Sequence, residues 1–423
     1  MQTNLADFIR DTPAGREADA ILRKCVHCGF CAATCPTYQL LGDELDSPRG
    51  RIYLMKRALE GGEVGASTRL HLDRCLTCRA CETTCPSGVR YGRLVDIGRR
   101  VVEERAPRPL AARVQRAALA AVLPRRTLFG ALLALGRSVR PLLPARLRRK
   151  VPAASAPAGA WPAPRHARRM LALAGCVQPA LAPGINAAAA RVLDRAGISL
   201  VEAPGAGCCG AVRFHLNAQS AGLDDVRALI DAWWPLVEAG VEAIVMTASG
   251  CGAMVREYGH LLAHDPRYAA KAERVSALTR DLSEVVDAEL ERLVPAAAGV
   301  PPGGAAGGGR DGDAAVRIAV HTPCTLQHAQ RLGGVVERIL ARAGFALAPV
   351  PDAHLCCGSA GTYSILQPEL SGQLKASKLQ ALQSGMPALV ATANIGCLAH
   401  LAADAEVPVR HWIVAFEERL AAA

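Results

Sequence analysis

The sequence predicts a multidomain protein in which a cysteine-rich N-terminal module precedes two duplicated α/β domains, each built on a parallel sheet. Three observations support this prediction. Two four-cysteine motifs lie near the N-terminus, eight further cysteines recur at a nearly constant offset, and strand-like runs alternate with helix-like runs around those eight. At 423 residues the chain is long enough for several separate cores.

The two N-terminal motifs share one spacing. KCVHCGFCAATCP and RCLTCRACETTCP both read C-x2-C-x2-C-x3-C-P and lie 50 residues apart. This spacing is typical of [4Fe–4S] ligands, and in two-cluster ferredoxins the fourth cysteine of each run binds the other cluster. The rule predicts one [4Fe–4S] cluster on Cys25, Cys28, Cys31 and Cys85, and a second on Cys75, Cys78, Cys81 and Cys35.

A pair of structural zinc sites is the alternative for these eight cysteines. Structural zinc sites usually present two well-separated C-x2-C pairs, whereas here four cysteines lie within eleven residues. The 50-residue offset leaves room for a helix, over about Pro48 to Leu59, between the clusters. The layout resembles the α-helical ferredoxin module of respiratory dehydrogenase subunits, which implies an all-α domain over residues 1–105.

The other eight cysteines form a long repeat with offsets of 148, 148, 148 and 146 residues. A repeat preserved over this distance predicts two copies of one domain, over residues 169–293 and 316–423. The Gly- and Pro-rich residues 294–315 between them predict a linker. The matching positions are Cys176, Cys208, Cys209 and Cys251 in the first copy, and Cys324, Cys356, Cys357 and Cys397 in the second.

Each copy alternates short apolar runs with helix-like stretches. MLALAG, ISLVEAP and VEAIVMTAS precede the cysteines of the first copy, and VRIAVHT, FALAPV and ALVATAN precede those of the second. This alternation predicts a parallel sheet, whose strands end at one shared edge. Cysteines far apart in sequence are therefore expected to converge there.

Two adjacent thiols on a glycine-containing turn, joined by one cysteine from each of two other strands, can supply four thiolates. We therefore expect a metal or an additional iron–sulfur cluster in each copy, while a dithiol redox site and an empty structural site stay open. His215 and His354 lie near the paired cysteines and could carry protons.

Residues 106–168 form a basic connecting segment. Residues 106–193 contain no Asp or Glu, while residues 106–170 hold 14 Arg and Lys, which exceeds the net charge of +11 for the whole chain. An anionic lipid surface or an acidic partner is expected rather than nucleic acid, because no nucleic-acid motif accompanies the charge. Residues 126–143 predict an amphipathic helix for a membrane surface, for a partner, or for packing on its own domain.

The N-terminus lacks a signal-like apolar region, and the longest apolar runs are too short to cross a bilayer. We therefore expect a cytoplasmic protein, peripheral on the inner face of the cell membrane where the basic segment meets lipid. In a reducing cytosol the 16 cysteines favour metal ligation over disulfides.

The C…CCG…C repeat resembles the CCG (cysteine-rich domain) family, which includes the cysteine-rich component of heterodisulfide reductase. That family ends its pattern in C-x2-C, whereas Ala248 and Asn394 stand where the first of these two cysteines is expected. The five-cysteine noncubane cluster of heterodisulfide reductase is therefore not expected here, nor is its disulfide reduction.

Apart from residues 106–168, the whole chain resembles the iron–sulfur subunits of glycolate oxidases, in stretches such as GCCGAVRFHLNAQ, HTPCTLQHAQRLGG and LCCGSAGTY. The resemblance implies an electron-transfer subunit of an oxidoreductase complex. FAD on flavin-containing partner subunits would oxidise glycolate to glyoxylate, and this chain would pass the electrons toward a membrane quinone. No catalytic residue is expected on it, because it has neither a dinucleotide fingerprint nor a nucleophile–base constellation.

Three alternatives remain at this stage. Chains of the same layout serve lactate utilisation and glycerol-3-phosphate oxidation. A heterodisulfide-reductase-like enzyme would use the repeat cysteines themselves. A zinc-stabilised binding protein with an acidic partner is the alternative that is not an enzyme.

Overall fold

The computed structural model describes residues 1–144, 148, 151–295 and 315–422. The chain divides into two compact units, each made of three segments. The first unit contains Met1–Ala120, Arg213–Gln219 and His354–Lys378, and the second contains Ala121–Val212, Ser220–Ala353 and Leu379–Ala423. The predicted linker 294–315 lies outside the described residues, except for its ends at 294, 295 and 315.

The described part of the first unit is helical. The α-helices that lie wholly or mostly in it are Asp7–Arg10, Pro13–Lys24, Pro36–Leu41, Pro48–Leu59, Ala66–Asp73, Ala80–Thr84, Tyr91–Arg105, Leu110–Val122, Ala211–His215, Tyr363–Leu366 and Pro368–Gln383. Two 3-10 turns, Phe30–Ala32 and Glu44–Asp46, complete it. The expected all-α character of the N-terminal module is confirmed.

The predicted helix between the two cysteine motifs is confirmed as Pro48–Leu59. The side chain of Ser47 accepts a hydrogen bond from the Gly50 amide, and Pro48 occupies the first helical position, so the N-terminus is well capped. The helix packs closely on Tyr91–Arg105, because a Cβ on Gly98 would lie 2.5 Å from the Met55 side chain. This packing fixes the core between the two motifs.

The second unit contains two four-stranded sheets, and every strand pair in them is parallel. Their strand orders are β2-β1-β3-β4 and β6-β5-β7-β8. The strands are β1 Arg168–Ala172, β2 Ile198–Glu202, β3 Ile244–Met246, β4 Thr279–Asp281, β5 Arg317–His321, β6 Ala346–Leu347, β7 Leu389–Thr392 and β8 Val409–His411. The duplicated parallel-sheet architecture is confirmed.

Helices connect these strands, as crossovers between parallel strands require. The helices of the second unit are Arg126–Val139, Gln178–Leu181, Gly184–Arg195, Gln219–Glu238, Ser249–Val255, Tyr258–Leu261, Ala269–Leu278, Leu282–Ala288, Leu290–Leu293, Val335–Arg342, Ile395–Leu401 and Trp412–Ala422, with a 3-10 turn at Arg140–Leu142 and a π-helical turn at Thr325–Ala329.

The two sheets share one hydrophobic core. Buried residues of both copies contribute to it, among them Ile198, Val245, Ile318 and Trp412. The alanine-rich helix Gly184–Arg195 packs on the C-terminal helix of the other copy, where small side chains allow close approach. The two copies therefore support one another.

The fourth strand of each sheet, β4 and β8, was not among the predicted strands. Each is three residues long and has a charged residue in the middle, Arg280 or Arg410, so neither shows an apolar run. Both lie at a sheet edge, where one side needs no strand partner.

The predicted amphipathic helix of residues 126–143 is present as Arg126–Val139, and none of its residues is buried. Among the described residues, no single helix is long and apolar enough to span a membrane. Only the bent pair Leu110–Val122 and Arg126–Leu142 meets that length and composition when taken together.

Candidate metal centres

The first ferredoxin pocket collects cysteines from both motifs. Its lining includes Cys25, Cys28 and Cys31 from the first motif and Cys81 and Cys85 from the second. Burial, together with the neighbouring Cys25 thiol, raises the pKa of Cys31 to about 11. Four thiols this close do not all ionise unless a cation lies between them, so the donor set fits a four-thiolate metal centre.

The second pocket holds the complementary set. It is lined by Cys75, Cys78 and Cys81 from the second motif and Cys35 from the first. Burial and the nearby Cys78 thiol raise the pKa of Cys81 well above its ordinary value. The structure thus groups each motif's first three cysteines with the fourth cysteine of the other motif.

The two motifs reach this arrangement through the same backbone conformation. His27 and Thr77, two residues after the first cysteine of each motif, have φ values of 56° and 54°. Gly29 and Arg79 follow with positive φ values of 86° and 60°. Left-handed conformations of non-glycine residues cost energy, and here they turn successive cysteines toward one point.

A buried arginine lies beside the second pocket. Arg51 is 1% exposed, and its Nη1 lies 3.1 Å from Thr37 Oγ1 and 3.9 Å from Cys35 Sγ. Its Nη2 donates to Asp46, which is fully buried, over 3.1 Å. A guanidinium this deep requires anions nearby, because burying an unpaired charge costs several kcal/mol, on the order of the Born penalty after relaxation.

Arg99 is the second buried cation of this pocket, at 8% exposed. It donates to the carbonyl oxygens of Cys75 over 2.6 Å and Leu72 over 2.8 Å, and to Thr77 Oγ1 over 3.0 Å. Burial alone raises the pKa of the Cys75 thiol, but the charges of Arg51 and Arg99 outweigh burial and lower it. Cys75 is therefore prepared as a thiolate ligand.

The residues that line the first pocket are more exposed to solvent. Cys28 is exposed, and so are the apolar side chains of Val26 and Phe30, at 68% and 62%. The cation on its lining, Arg49, is itself exposed and paired with Glu44 over 2.5 Å. Solvent therefore screens the charges around this pocket more than those around the second.

The first CCG set converges as the sheet topology requires. Cys176 follows β1, Cys208 and Cys209 follow β2, and Cys251 lies in the helix after β3, and these three strands are neighbours. The Cys208 sulfur is hydrogen-bonded to the Cys176 and Cys209 thiols, which lowers the pKa of Cys208 to about 3.

The same contacts raise the pKa of the two donor thiols. That of Cys176 rises through its hydrogen bond to Cys208 and through burial, and that of Cys209 through its contacts with Cys208 and Cys251. The negative charge is thus held on Cys208, with the Cys176 and Cys209 thiols around it. Metal binding would replace the shared protons, so this donor set also fits a four-thiolate centre.

The glycine after the paired cysteines has a steric role in both copies. Gly210 and Gly358 have φ values of +82° and +85°. An added Cβ would lie 2.6 Å from the Gly222 carbonyl oxygen in the first copy and 2.7 Å from that of Ser371 in the second. Only glycine fits a left-handed turn pressed against a helix.

Replacing Gly210 by alanine is expected to lower the free energy of unfolding by about 2–4 kcal/mol, from the left-handed backbone plus the steric overlap. Gly205→Ala is the matched control, because Gly205 has φ +77° but no atom within 4 Å of an added Cβ. It should cost only about 1–2 kcal/mol. Urea denaturation followed by circular dichroism measures both, and equal losses would exclude the steric contribution.

The second CCG set has two of its cysteines beyond neighbouring strands. Cys324 begins the π-helical turn after β5, and Cys397 lies in the helix after β7, which neighbours β5. Cys356 and Cys357 are buried and belong to the first unit. Asn394, at the position of the missing cysteine, donates from Nδ2 to Cys397 Sγ over 3.5 Å. Four-cysteine ligation in this copy stays a prediction.

Sequence reasoning missed Arg51, Arg99 and Tyr363. Tyr363 donates its hydroxyl to the carbonyl oxygen of Arg74 over 3.1 Å, beside Cys75. Comparing the two repeats could have found it, because Tyr363 and His215 each follow the first cysteine of their pair by seven residues. His215 Nδ1 lies 3.9 Å from Asp96, and the proton-carrying role expected for His215 and His354 stays a prediction.

The comparisons with known proteins agree with this architecture. Residues 21–89 match the family model of the 4Fe-4S dicluster domain, and residues 170–256 and 318–402 match that of the cysteine-rich domain. The lactate utilization protein A of Bacillus velezensis (strain DSM 23117 / BGSC 10A6 / LMG 26770 / FZB42) is 27% identical over 230 residues, which are 53% of this chain and 87% of that protein.

Two relatives match most of the chain. The probable glycolate oxidase iron-sulfur subunit of Bacillus subtilis (strain 168) is 31% identical over 89% of this chain and 87% of its own length. The glycolate oxidase iron-sulfur subunit of Escherichia coli (strain K12) is 56% identical over 421 residues, which are 99% of both chains. With identity at this level along its whole length, the chain belongs to the family of glycolate oxidase iron–sulfur subunits.

Proposed function

We propose that this chain is the iron–sulfur electron-transfer subunit of a complex that oxidises glycolate to glyoxylate. The observation that supports it best is the pair of ferredoxin pockets, whose linings each combine three cysteines of one motif with the fourth of the other, while Cys81 lines both. Two four-thiolate pockets inside one helical core suit electron relay, because neighbouring clusters exchange single electrons without rearrangement of the protein.

The cysteines would hold the cofactors as follows. One [4Fe–4S] cluster lies on Cys25, Cys28, Cys31 and Cys85, and a second on Cys75, Cys78, Cys81 and Cys35. An additional metal or cluster lies on Cys176, Cys208, Cys209 and Cys251, with a corresponding site on Cys324, Cys356, Cys357 and Cys397. Each [4Fe–4S] cluster supplies the ability to accept and release one electron.

The chemistry at the substrate belongs to a partner. Oxidation of glycolate to glyoxylate releases two electrons and two protons, and FAD on a flavin-containing subunit would take them. The residues of this chain then hold and order the carriers that receive the electrons one at a time. A quinone at the membrane would accept two electrons and two protons to form a quinol.

The basic segment supports a place at the inner membrane surface. Leu132 and Leu135 on Arg126–Val139 are 46% and 61% exposed, and Leu142 just beyond is 86% exposed. Arginines lie among them, and no acidic residue occurs between residues 106 and 193. Exposed leucines with arginines and no acids suit an anionic lipid surface.

Replacing Leu132 and Leu135 together by glutamate is expected to weaken binding to phosphatidylglycerol-containing vesicles at least tenfold. Burying each leucine contributes about 1.5–3 kcal/mol, and two carboxylates add repulsion. Vesicle sedimentation at several salt concentrations measures the affinity. Met386→Glu is the control, since Met386 is 81% exposed outside this segment. Equal binding of all three proteins would contradict the proposal.

The test of the function begins with iron and acid-labile sulfide on protein purified without oxygen. The two ferredoxin clusters predict about 8 of each per chain, and a filled CCG site predicts more. Colourless protein with stoichiometric zinc would instead support the zinc-stabilised binding protein.

Activity measurements then identify the substrate of the complex. The chain alone should not oxidise glycolate, and mixing it with its flavin subunits should restore glycolate-dependent quinone reduction. Lactate or glycerol 3-phosphate as the better electron donor would move the chain to one of the alternative dehydrogenases. Full turnover of glycolate by the chain alone would contradict the proposal.

A further inference from the structure

The two ferredoxin pockets are chemically matched but electrostatically different. Both are lined by the first three cysteines of one motif and the fourth of the other. The second has two buried guanidinium groups against its cysteines, those of Arg51 and Arg99, whereas the arginine that lines the first is solvent-exposed and neutralised by Glu44. Arg51 and Arg99 lie outside both motifs, so this part of the difference arises from tertiary packing.

The carboxylates around the second pocket do not cancel its positive charge. Asp46 faces Arg51 over 3.1 Å and Arg74 over 2.8 Å, so one carboxylate is shared by two guanidiniums. Arg99 donates to the two carbonyls and the hydroxyl named above, which are neutral acceptors. Arg79 lines the same pocket, and Glu82 lies near Cys81. Four guanidiniums against two carboxylates leave a net charge of +2.

Two hydroxyl groups and a backbone amide beside the cysteines of the second pocket also favour the reduced form of a cluster. Tyr91 donates to Cys75 Sγ over 3.6 Å, and Thr37 Oγ1 lies 3.3 Å from Cys35 Sγ. The Thr77 amide donates to Cys75 Sγ over 3.4 Å. Hydrogen bonds to cluster sulfurs and nearby positive charge both favour the reduced, more negative form of a cluster.

We propose that Arg51 and Arg99 give the cluster on Cys35, Cys75, Cys78 and Cys81 the higher reduction potential, so that electrons pass from the first pocket to the second. In this step the first cluster loses one electron and the second gains it, with no bond broken and no proton transferred. Arg51 and Arg99 are positioning residues that act through the buried charge they place beside the ligands.

The direction fits the exposure of the two pockets. The first has an exposed cysteine, Cys28, with Val26 and Phe30 open around it, as an electron-entry site requires. The cysteines of the second are buried or half-buried. An electron entering at the exposed pocket thus moves toward buried positive charge. The inference rests on the proposed function in requiring a [4Fe–4S] cluster in each pocket.

The test is a redox titration of the full chain, purified without oxygen and followed by electron paramagnetic resonance. The wild type should show two one-electron steps, and Cys28→Ser, which disables the first pocket, should remove the step at lower potential. Arg51→Gln should lower the higher of the two reduction potentials by at least 59 mV, which for one electron is a tenfold change in the ratio of reduced to oxidised cluster. Arg51→Lys should keep most of the wild-type value.

Arg23→Gln is the matched control, because Arg23 is an exposed arginine paired with Asp19 outside the linings of both pockets. It should leave both reduction potentials unchanged to within a twofold change in the ratio of reduced to oxidised cluster. If Arg51→Gln fails to retain iron, Tyr91→Phe is the variant to measure. It removes a single O–H···S hydrogen bond and should lower the same reduction potential. The ratio of reduced to oxidised cluster should change by about threefold, in keeping with one hydrogen bond.

Equal potentials in the wild type, or equal shifts of both steps in Arg51→Gln, would overturn the inference and leave the proposed function intact. Protein that holds no [4Fe–4S] cluster would instead contradict the proposed function.

Discussion

Replacing Cys85 by serine is expected to remove the cluster of the first motif, although Cys85 belongs to the second. Cys85 lines the pocket of Cys25, Cys28 and Cys31, and its charge contributes to the raised pKa of Cys31. Serine is a poorer iron ligand than cysteine, so the variant should lose about four irons and four sulfides, those of one cluster. Iron and sulfide analysis measures the loss.

Pairs of substitutions make this test independent of any spectral assignment. Cys28→Ser combined with Cys85→Ser should lose no more iron than either change alone, because both act on one cluster. Cys28→Ser combined with Cys35→Ser should lose about eight irons, those of two clusters. Thr83→Ser, an exposed neighbour, serves as the control. Loss of both clusters in the first pair would show that each motif binds its own cluster.

The sequence was most informative where function fixes the spacing of side chains. Cluster ligands must lie at set distances from one iron–sulfur core, so the two motifs predicted the pairing that the pockets display. The strands before Cys176 and Cys251 could be predicted equally well, because a parallel strand buried on both faces appears in the sequence as an apolar run. The helix Pro48–Leu59 was predicted from the length between the motifs and is capped by Ser47.

Features that depend on tertiary packing could not be predicted in this way. Arg51 and Arg99 are buried by elements distant in sequence, and an arginine in a helix is ordinarily taken for a solvent-exposed residue. The edge strands β4 and β8 carry arginines and gain their conformation from a single neighbouring strand. Tyr363 contacts Arg74, 289 residues away, and no local pattern encodes such a contact.

The departure from the CCG family pattern has a structural counterpart. Asn394 stands at the position of the missing cysteine and hydrogen-bonds Cys397. Ala248, at the same position in the first copy, is 7% exposed and has no donor group. The two copies thus carry different residues in place of the fifth cysteine, which argues against a shared five-cysteine cofactor.

Replacing Cys251 by serine is expected to remove the metal of the first CCG site and no other metal of the chain. The thiols of Cys176, Cys208, Cys209 and Cys251 contact one another, so the proposed metal would depend on all four of them. Metal analysis should show this loss, while electron paramagnetic resonance of the ferredoxin clusters stays unchanged.

The same substitution should also destabilise the second unit. Structural Zn²⁺ contributes an apparent binding free energy of about 10–16 kcal/mol in zinc-finger peptides, and a metal held by Cys176 and Cys251 would link the neighbouring strands β1 and β3. Thermal unfolding should therefore begin at a lower temperature in Cys251→Ser than in the wild type, and the exposed substitution Thr83→Ser is the control that should leave it unchanged. If Cys251→Ser keeps the metal content and melting temperature of the wild type, the first CCG site is an empty structural site, and the electron route through this chain ends at the ferredoxin clusters.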